Sequence, residues 1–379
     1  MDLKDIRKEI DKENQEILKL FLERMENAGK VAEYKSKNNL PVFNPERERE
    51  ILKEIQDKSG DMELYSYQLF QTIMELSRAY QNKLLGTSSP SIEKIKDSIL
   101  PVNSLFPKTG TVAVIGTEGS FSGQAADRMF PRGSLMFLKS FSGVFDAVES
   151  GLCDYGIVPV ENSSYGSVRE VYSLLQERDL TIKRSIKVNV HHELLGKPGM
   201  ELKDIKEVIS HEQALGQCEN FLKTLPNVKL TKVANTATAA KMVAESNRND
   251  IASISSHQAG ILNGLKPVKT EIMDSANNYT RFVCISKKPA IYPGSNRISL
   301  ILQIPHEPGA LYNVLSNISA LGLNLVKLES VPMVGHDFEF IFYVDIEGSI
   351  MDKGVPELLA TLESTCEYFK FLGNYPVIG

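Results

Sequence analysis

Pro159-Val-Glu-Asn-Ser-Ser-Tyr-Gly-Ser-Val168 is the stretch on which the reading of the fold turns. It follows the apolar run Tyr155-Gly-Ile-Val158, which reads as a buried strand. It leads into the helix-like run Val168-Arg-Glu-Val-Tyr-Ser-Leu-Leu175. A strand that ends in a turn and opens a helix is where open α/β sheets hold their ligands. Backbone N–H groups around Ser163 to Gly166 would suit an anion, and Glu161 and Asn162 add an acceptor and an amide. Loops are polar in any case, so the turn by itself fits an ordinary connection equally well.

Outward from this turn, short apolar runs alternate with helical patterns. Strands are expected at 111–116, 135–138, 155–160, 182–190, 205–210, 229–234, 251–255 and 282–286, an α/β arrangement. Two more strand-to-helix junctions stand out. Gly116-Thr-Glu-Gly-Ser-Phe-Ser-Gly-Gln-Ala-Ala126 lacks the spacing of a dinucleotide fingerprint and the Lys of a P-loop, so no nucleotide is implied. Ser210-His-Glu-Gln-Ala-Leu-Gly-Gln-Cys218 is the other. Several helix N-termini facing one cleft would make a carboxylate pocket.

A chain of 379 residues is too long for one ordinary core, and two or three domains are expected. Apolar residues make up 42% and charged residues 24%, the balance of a soluble globular protein. A net charge of -5 argues against nucleic acid as a partner. No apolar run approaches membrane-spanning length, and the first residues lack the apolar segment of a signal peptide, so the expectation is a cytoplasmic protein without a membrane partner. Cys153, Cys218, Cys284 and Cys366 are scattered, without a C-x-x-C pair, and read as free thiols in a reducing compartment. His191, His192, His211 and His257 have no identifiable co-ligands, so structural roles are expected of them and no metal.

Residues 1–86 are a charged helical module. Leu3, Ile6, Ile10, Ile17, Phe21, Met25, Ala28, Val31 and Ala32 recur at helical spacing, which predicts one amphipathic helix of about thirty residues. A second helix follows Pro41, with Asn44 as N-cap and Pro45 at the first helical position. A third is expected from about 61 to 85. Three such helices cannot enclose a core alone, so an intertwined helical dimer is expected. Arg24 and Lys35, eleven apart, share a helix face. Arg7 lies seventeen residues before Arg24, roughly 25 Å away along the axis, and reaches the same small molecule only from a partner chain. The plainer alternative is a solvated face of i,i+4 ion pairs.

The pattern of Arg7, Arg24, Lys35, Arg47-Glu48, and Ser77 with Gln81 resembles the all-helical chorismate mutases over residues 1–86. The resemblance implies that the cations bind the two carboxylates of chorismate, with the Arg7 equivalent supplied by the partner subunit. Lys35 and Gln81 would flank the ether oxygen, and Asn44, Arg47, Glu48 and Ser77 would be further substrate ligands. Asn44 stands where an acidic residue is commoner. The rearrangement is unimolecular, so holding the reactive conformer and stabilising charge on the ether oxygen suffices, without a cofactor.

Residues 87–110, Ser/Pro/Gly-punctuated with one weakly amphipathic stretch at 92–100, read as a linker. Beyond it, Gly119-Ser-Phe-Ser122, Pro159-Val-Glu-Asn-Ser163 with Gly166, Ser210-His211 with Gln213, and Thr280-Arg-Phe282 resemble the prephenate dehydratases over 111–288. That family implies a bilobal, periplasmic-binding-protein-like α/β fold with the site between lobes, here 111–190 plus 270–288, and 191–269. The reaction is loss of the ring hydroxyl with CO2, giving phenylpyruvate. The resemblance assigns Thr280 as hydrogen-bond donor to the departing hydroxyl. A hydroxyl is a poor general acid, so stabilising the leaving group is the defensible role. Ser120, Asn162, Ser163 and Gln213 would be substrate ligands. Arg281 would either anchor a carboxylate or brace the loop by an ion pair.

After a hinge expected at 287–295, the order strand, helix, strand, strand, helix, strand over 297–379 is the ferredoxin-like plan. It resembles an ACT regulatory domain, with an α+β fold. Pro308-Gly-Ala-Leu311 and Leu328-Glu-Ser-Val-Pro332 match the segments that line phenylalanine in the dehydratase family. Gly309, Ala310, Leu311, Glu329 and Ser330 are thus the expected allosteric residues, and Val331 stands where Arg is usual.

Together these resemblances imply a bifunctional chorismate mutase–prephenate dehydratase with phenylalanine feedback, built as a multidomain homodimer or higher homo-oligomer. Its expected small-molecule partners are chorismate, prephenate and L-phenylalanine. The alternatives are a non-catalytic aromatic-acid sensor, or a single-activity enzyme with one inactive domain.

Overall fold

The computed structural model describes residues 2–38, 40–85, 90–275, 277–332 and 340–378. The chain divides into two units. One holds residues 1–96, 304–323 and 351–367, and the other holds residues 97–303, 324–350 and 368–379.

The first unit is helical. Its longest element is Leu3–Lys37, 35 residues, followed by Pro45–Ser59, a 3-10 turn Gly60–Met62, and Glu63–Leu84. Asn44 caps the second helix, its side chain accepting the Arg47 N–H at 3.1 Å. The first helix buries only Ala28 and Ala32, while Leu3 and Ile17 remain 59% and 62% exposed. An apolar stripe is thus left in water along this helix. Helices Ala310–Ala320 and Val355–Thr365 complete the unit.

The second unit carries three sheets. The first has the order Val377–Ile378, Thr181–Asn189, Tyr279–Ser286, Tyr155–Asn162, Thr111–Ile115, Ser134–Leu138, with Gly166–Ser167 folded back on Tyr155–Asn162. The second runs Lys266–Lys269, Glu193–Gly196, Ile251–Ser255, Glu207–Ser210, Lys229–Lys232. The chain passes from the first of these α/β sheets to the second at 190–192 and leaves the second after Lys269. Their inner strands Thr111–Ile115 and Ile251–Ser255 are largely buried, as helices cover both faces. Ser120, Asn235 and Ser256 each cap the helix that follows, accepting an N–H three residues on.

The third sheet is antiparallel, in the order Asn324–Pro332, Phe340–Glu347, Arg297–Gln303, Tyr368–Tyr375. With the two helices the chain order is βαββαβ, as expected, and residues 333–339 lie outside the described ones. Ile301, Ile341, Tyr343, Leu372 and Tyr375 share one core with Val144, Val158 and Leu175 of the first lobe. Gly373 allows the close approach: a Cβ there would lie 2.4 Å from the Ile182 carbonyl oxygen.

Three expectations change. The stretch read as a linker contains a helix, Pro90–Asp97, and its Phe106 is buried against Phe130 and Tyr292, with the Arg184 guanidinium 3.7 Å above its ring; residues 86–89 lie outside the described ones. The hinge expected at 287–295 is packed, with Ile291 buried and bridged to Ile99. Short, less apolar strands at Glu193–Gly196 and Lys266–Lys269, and the terminal Val377–Ile378, escaped the periodicity reading because two to four residues are too few to show a period.

Candidate active sites

The first site is built on two antiparallel neighbours, Tyr155–Asn162 and Tyr279–Ser286, in which Asn162 pairs with Thr280. The Asn162 side-chain nitrogen lies 2.9 Å from Thr280 Oγ1 and 2.9 Å from Asn278 Oδ1. Its Oδ1 accepts the N–H groups of Ser164 and Tyr165 at 3.0 and 3.2 Å. Ser163 donates its own N–H to the Tyr279 carbonyl at 2.9 Å, and its hydroxyl receives the Tyr279 N–H at 3.0 Å.

These bonds correct the opening expectation. The strand runs on to Asn162, turns tightly, and returns as Gly166–Ser167 before the helix Arg169–Glu177 begins. The amides of Ser163, Ser164 and Tyr165 are consumed inside that hairpin, so they are not an anion cradle. Ser163 likewise serves the hairpin: its hydroxyl donates to the Asn277 carbonyl at 3.1 Å.

Other segments meet this wall from the second lobe. Tyr165 donates its hydroxyl to the Gln213 carbonyl at 3.1 Å. Gln213 opens the helix Glu212–Gly216, which His211 caps through Nδ1. That contact leaves the His211 proton on Nε2, and burial lowers its pKa. Ser256 donates to the Gly119 carbonyl at 2.9 Å, where a Cβ on Gly119 would press to 3.0 Å from Ala259 Cα. Ser120, 8% exposed, spends its hydroxyl on the Gly123 N–H at 3.2 Å. His192 is buried, with Nε2 3.0 Å from Gln217 Oε1 and Phe121 edge-on at 5.5 Å.

Arg281 departs from its place among the expected substrate ligands. It is 7% exposed and ion-paired with Asp345 at 2.7 Å and Glu161 at 3.3 Å, with Tyr172 OH 3.3 Å away. Successive strand residues face opposite sides, so with Thr280 beside Asn162 its neighbour points into the contact with the third sheet. Burial works against the guanidinium charge, but Asp345, Tyr375, Tyr172 and Glu161 more than offset it and raise the pKa. Sequence reasoning held bracing and substrate binding equal; burial decides for bracing.

The second site lies in the helical module. Arg24 donates to Ser77, and Glu48 is ion-paired with Arg78, whose guanidinium lies 5.0 Å above Phe43. Burial lowers the pKa values of Arg24 and Lys35, and the Glu48 charge opposes this for both. Glu48 is thus shared by the two cations that the helical phase puts on one face. Ser77 and Gln81, one turn apart, are buried at 5% and 7% exposure. Lys35 donates to the Val42 carbonyl at 2.5 Å. Arg47 is exposed and pairs with Glu50 at 2.9 Å, and Asn44 spends its oxygen on its helix cap; neither joins this cluster within one chain. Arg7 is exposed on the first helix, away from Arg24. Arg78 was missed, although it directly follows Ser77.

Of the expected allosteric residues, Gly309 caps Ala310–Ala320 with φ 87, so glycine suits that position, and its missing Cβ would face Gln71. Ala310 and Leu311 form the first turn of that helix. Glu329 is hydrogen-bonded by Ser167 and lies 3.0 Å from Lys327, facing the first lobe; Ser330 is on the other, exposed face of its strand.

Residues 112–290 match the prephenate dehydratase family model, and residues 6–82 match chorismate mutase type II. A bifunctional chorismate mutase/prephenate dehydratase of Aquifex aeolicus (strain VF5) is 32% identical over 377 residues, 99% of this chain and 98% of that protein. The chain belongs to the bifunctional chorismate mutase–prephenate dehydratase family. As a member of that family it is an isomerase, converting chorismate to prephenate, and a lyase, converting prephenate to phenylpyruvate with loss of water and CO2, two steps of phenylalanine biosynthesis. Among solved structures, a prephenate dehydratase from Arthrobacter aurescens in complex with L-Phe is 28% identical over 70% of this chain and 89% of that one, with a TM-score of 0.65. A protein described as a novel type of quorum quenching acylase is 30% identical over 71% of this chain and 98% of that one, also with a TM-score of 0.65. The fold is common to both, so the chemistry has to be argued from the site.

Proposed function

We propose that Thr280 stabilises the departing ring hydroxyl of prephenate by hydrogen bonding, in a cleft whose walls are 119–122, 162–165 and 211–213. The observation that supports this is the 2.9 Å contact between Asn162 and Thr280 across paired strands. Aromatisation drives the elimination, so the chain has only to orient the substrate and stabilise charge on the leaving oxygen. Ser120 and Gln213 lie on segments that contribute to substrate binding, while Asn162 and Ser163 shape the wall.

In the mutase, Arg24 and Lys35 hold the carboxylates and the ether oxygen, with Gln81 and Ser77 on the facing helix. The rearrangement then needs only the compressed conformer and a cation where charge develops. Arg7 serves the partner subunit's site in a homodimer. The exposed stripe of Leu3, Ile6, Ile10 and Ile17 supports that assembly. No helix among the described residues is long and apolar enough to cross a membrane, and a cytoplasmic setting fits the four free cysteines.

The C-terminal βαββαβ segment acts as an ACT-type sensor of L-phenylalanine. Its element order and the L-Phe complex of the A. aurescens enzyme support this reading. The dehydratase region takes the periplasmic-binding-protein-like bilobal form, closed or opened by differential affinity for the effector.

Reciprocal substitution tests the assignment. Thr280→Ala abolishes phenylpyruvate formation and leaves chorismate consumption intact, whereas Arg24→Ala does the reverse. Loss of both activities from either folded variant contradicts the modular assignment. Calorimetry with L-phenylalanine that shows neither heat nor inhibition removes the sensor.

A further inference from the structure

We infer that Asn278 is a positioning residue for the dehydration step, acting through Asn162 to turn the Thr280 hydroxyl hydrogen toward the substrate. The inference rests on the reading of Thr280 as donor to the departing hydroxyl.

The direction of each hydrogen bond in this cluster is set by groups that cannot be reversed. Ser164 and Tyr165 offer backbone N–H groups to one end of the Asn162 amide, at 3.0 and 3.2 Å. A backbone N–H only donates, so that end is the oxygen and the opposite end is the NH2. The NH2 lies 2.9 Å from Asn278 Oδ1 and 2.9 Å from Thr280 Oγ1, with the Tyr279 carbonyl farther off at 3.3 Å. Its two hydrogens go to the two nearer acceptors. Thr280 Oγ1 therefore accepts from Asn162, and its single hydrogen has to leave in another direction. A threonine that donated to Asn162 would spend that hydrogen inside the protein.

Asn278 makes the arrangement rigid. It stands just ahead of the strand Tyr279–Ser286, two residues before Thr280, with its Oδ1 2.9 Å from the Asn162 amide nitrogen. It is 1% exposed, and its carbonyl accepts the Val190 N–H at 2.8 Å. With its oxygen facing Asn162, it engages the second hydrogen of that amide and prevents rotation about the side-chain axis. Its own Nδ2 has no hydrogen-bond partner among the described residues. An aspartate at this position would therefore keep the acceptor without breaking another bond of the network.

Steady-state kinetics of the full chain test this, with the mutase as an internal control for folding. Asn278→Leu lowers the dehydratase kcat about 10-fold or more while KM for prephenate stays within about threefold. Asn278→Asp restores kcat toward wild type and raises KM, because its charge lies near a dicarboxylate substrate. Wild-type kcat in Asn278→Leu, or a rise in KM alone, overturns the inference. So does an equally slow Asn278→Asp with normal mutase activity. If Asn278→Leu fails to fold, Asn278→Asp decides alone: kcat within about threefold of wild type sustains the inference, and a loss of about 10-fold overturns it. Thr280→Val in parallel separates the two readings. If it retains dehydratase activity, the assignment of Thr280 fails. If it is inactive while Asn278→Leu is normal, only the role of Asn278 fails.

Discussion

Arg281 Nη1 lies 2.7 Å from Asp345 Oδ2, so the residue after the proposed donor Thr280 is ion-paired to the C-terminal sheet. Glu161, the neighbour of Asn162, joins the same group through Arg281 at 3.3 Å and Lys327 at 3.7 Å. Tyr172 and Tyr343 stack beside it with ring centroids 4.4 Å apart. The strands that carry Asn162 and Thr280 are thus held by buried charges on the strands of the third sheet.

Removing one member of that buried pair leaves the other uncompensated. Asp345→Asn or Arg281→Met should destabilise the second unit by about 3–5 kcal/mol, and the Arg281→Met/Asp345→Leu double variant by less than the sum. Urea unfolding followed by tyrosine fluorescence measures this. A substrate-anchoring Arg281 would instead raise KM for prephenate with stability unchanged, which is the contrary outcome.

Burial lowers the pKa of Lys35, against the opposing charge of Glu48. With Lys35 acting as the cation proposed for the mutase, activity should fall as pH rises through that lowered pKa. Glu48→Gln removes the opposing charge and should move the alkaline limb of kcat/KM to still lower pH. A limb that stays in place separates Lys35 from the titration.

His192 is 3% exposed, and burial pushes its pKa from 6.5 down to about 4. Between these values the unfolded chain binds the proton and the folded chain does not, so stability rises with pH across that window. The contribution, about 3 kcal/mol by linkage, is fully present above pH 6.5 and is lost as pH falls to about 4. His192→Gln should flatten the stability profile in this window, measured by denaturant midpoints at stepped pH. An unchanged slope assigns the titration elsewhere.

Much of the fold is legible without coordinates because its determinants are local. The 3.6-residue recurrence from Leu3 to Ala32 specifies a helix through neighbours three and four apart, and Asn44-Pro45 marks where the next begins. The βαββαβ order follows equally from runs of alternating and helical periodicity. The candidate sites were legible as segments, since the helical phase alone brings Arg24 and Lys35 to one face. Their side chains were less so. Ser163 to Tyr165 looked like a free anion cradle because nothing in sequence shows a hairpin consuming its own amides. Phe106 looked like linker because its partners, Phe130 and Tyr292, lie far along the chain.

By itself, then, the amino-acid sequence determined the order of helical and strand segments, the strand-to-helix junctions at 116–126 and 210–218, and the identities of Thr280, Arg24 and Lys35 as chemical candidates. Tertiary structure alone decided which way Arg281 faces, where Phe106 is buried, and that Asn278 stands behind Asn162, 116 residues away. The reason is physical: periodicity encodes which residues share a face, but what that face meets is set by elements that only chain folding brings together.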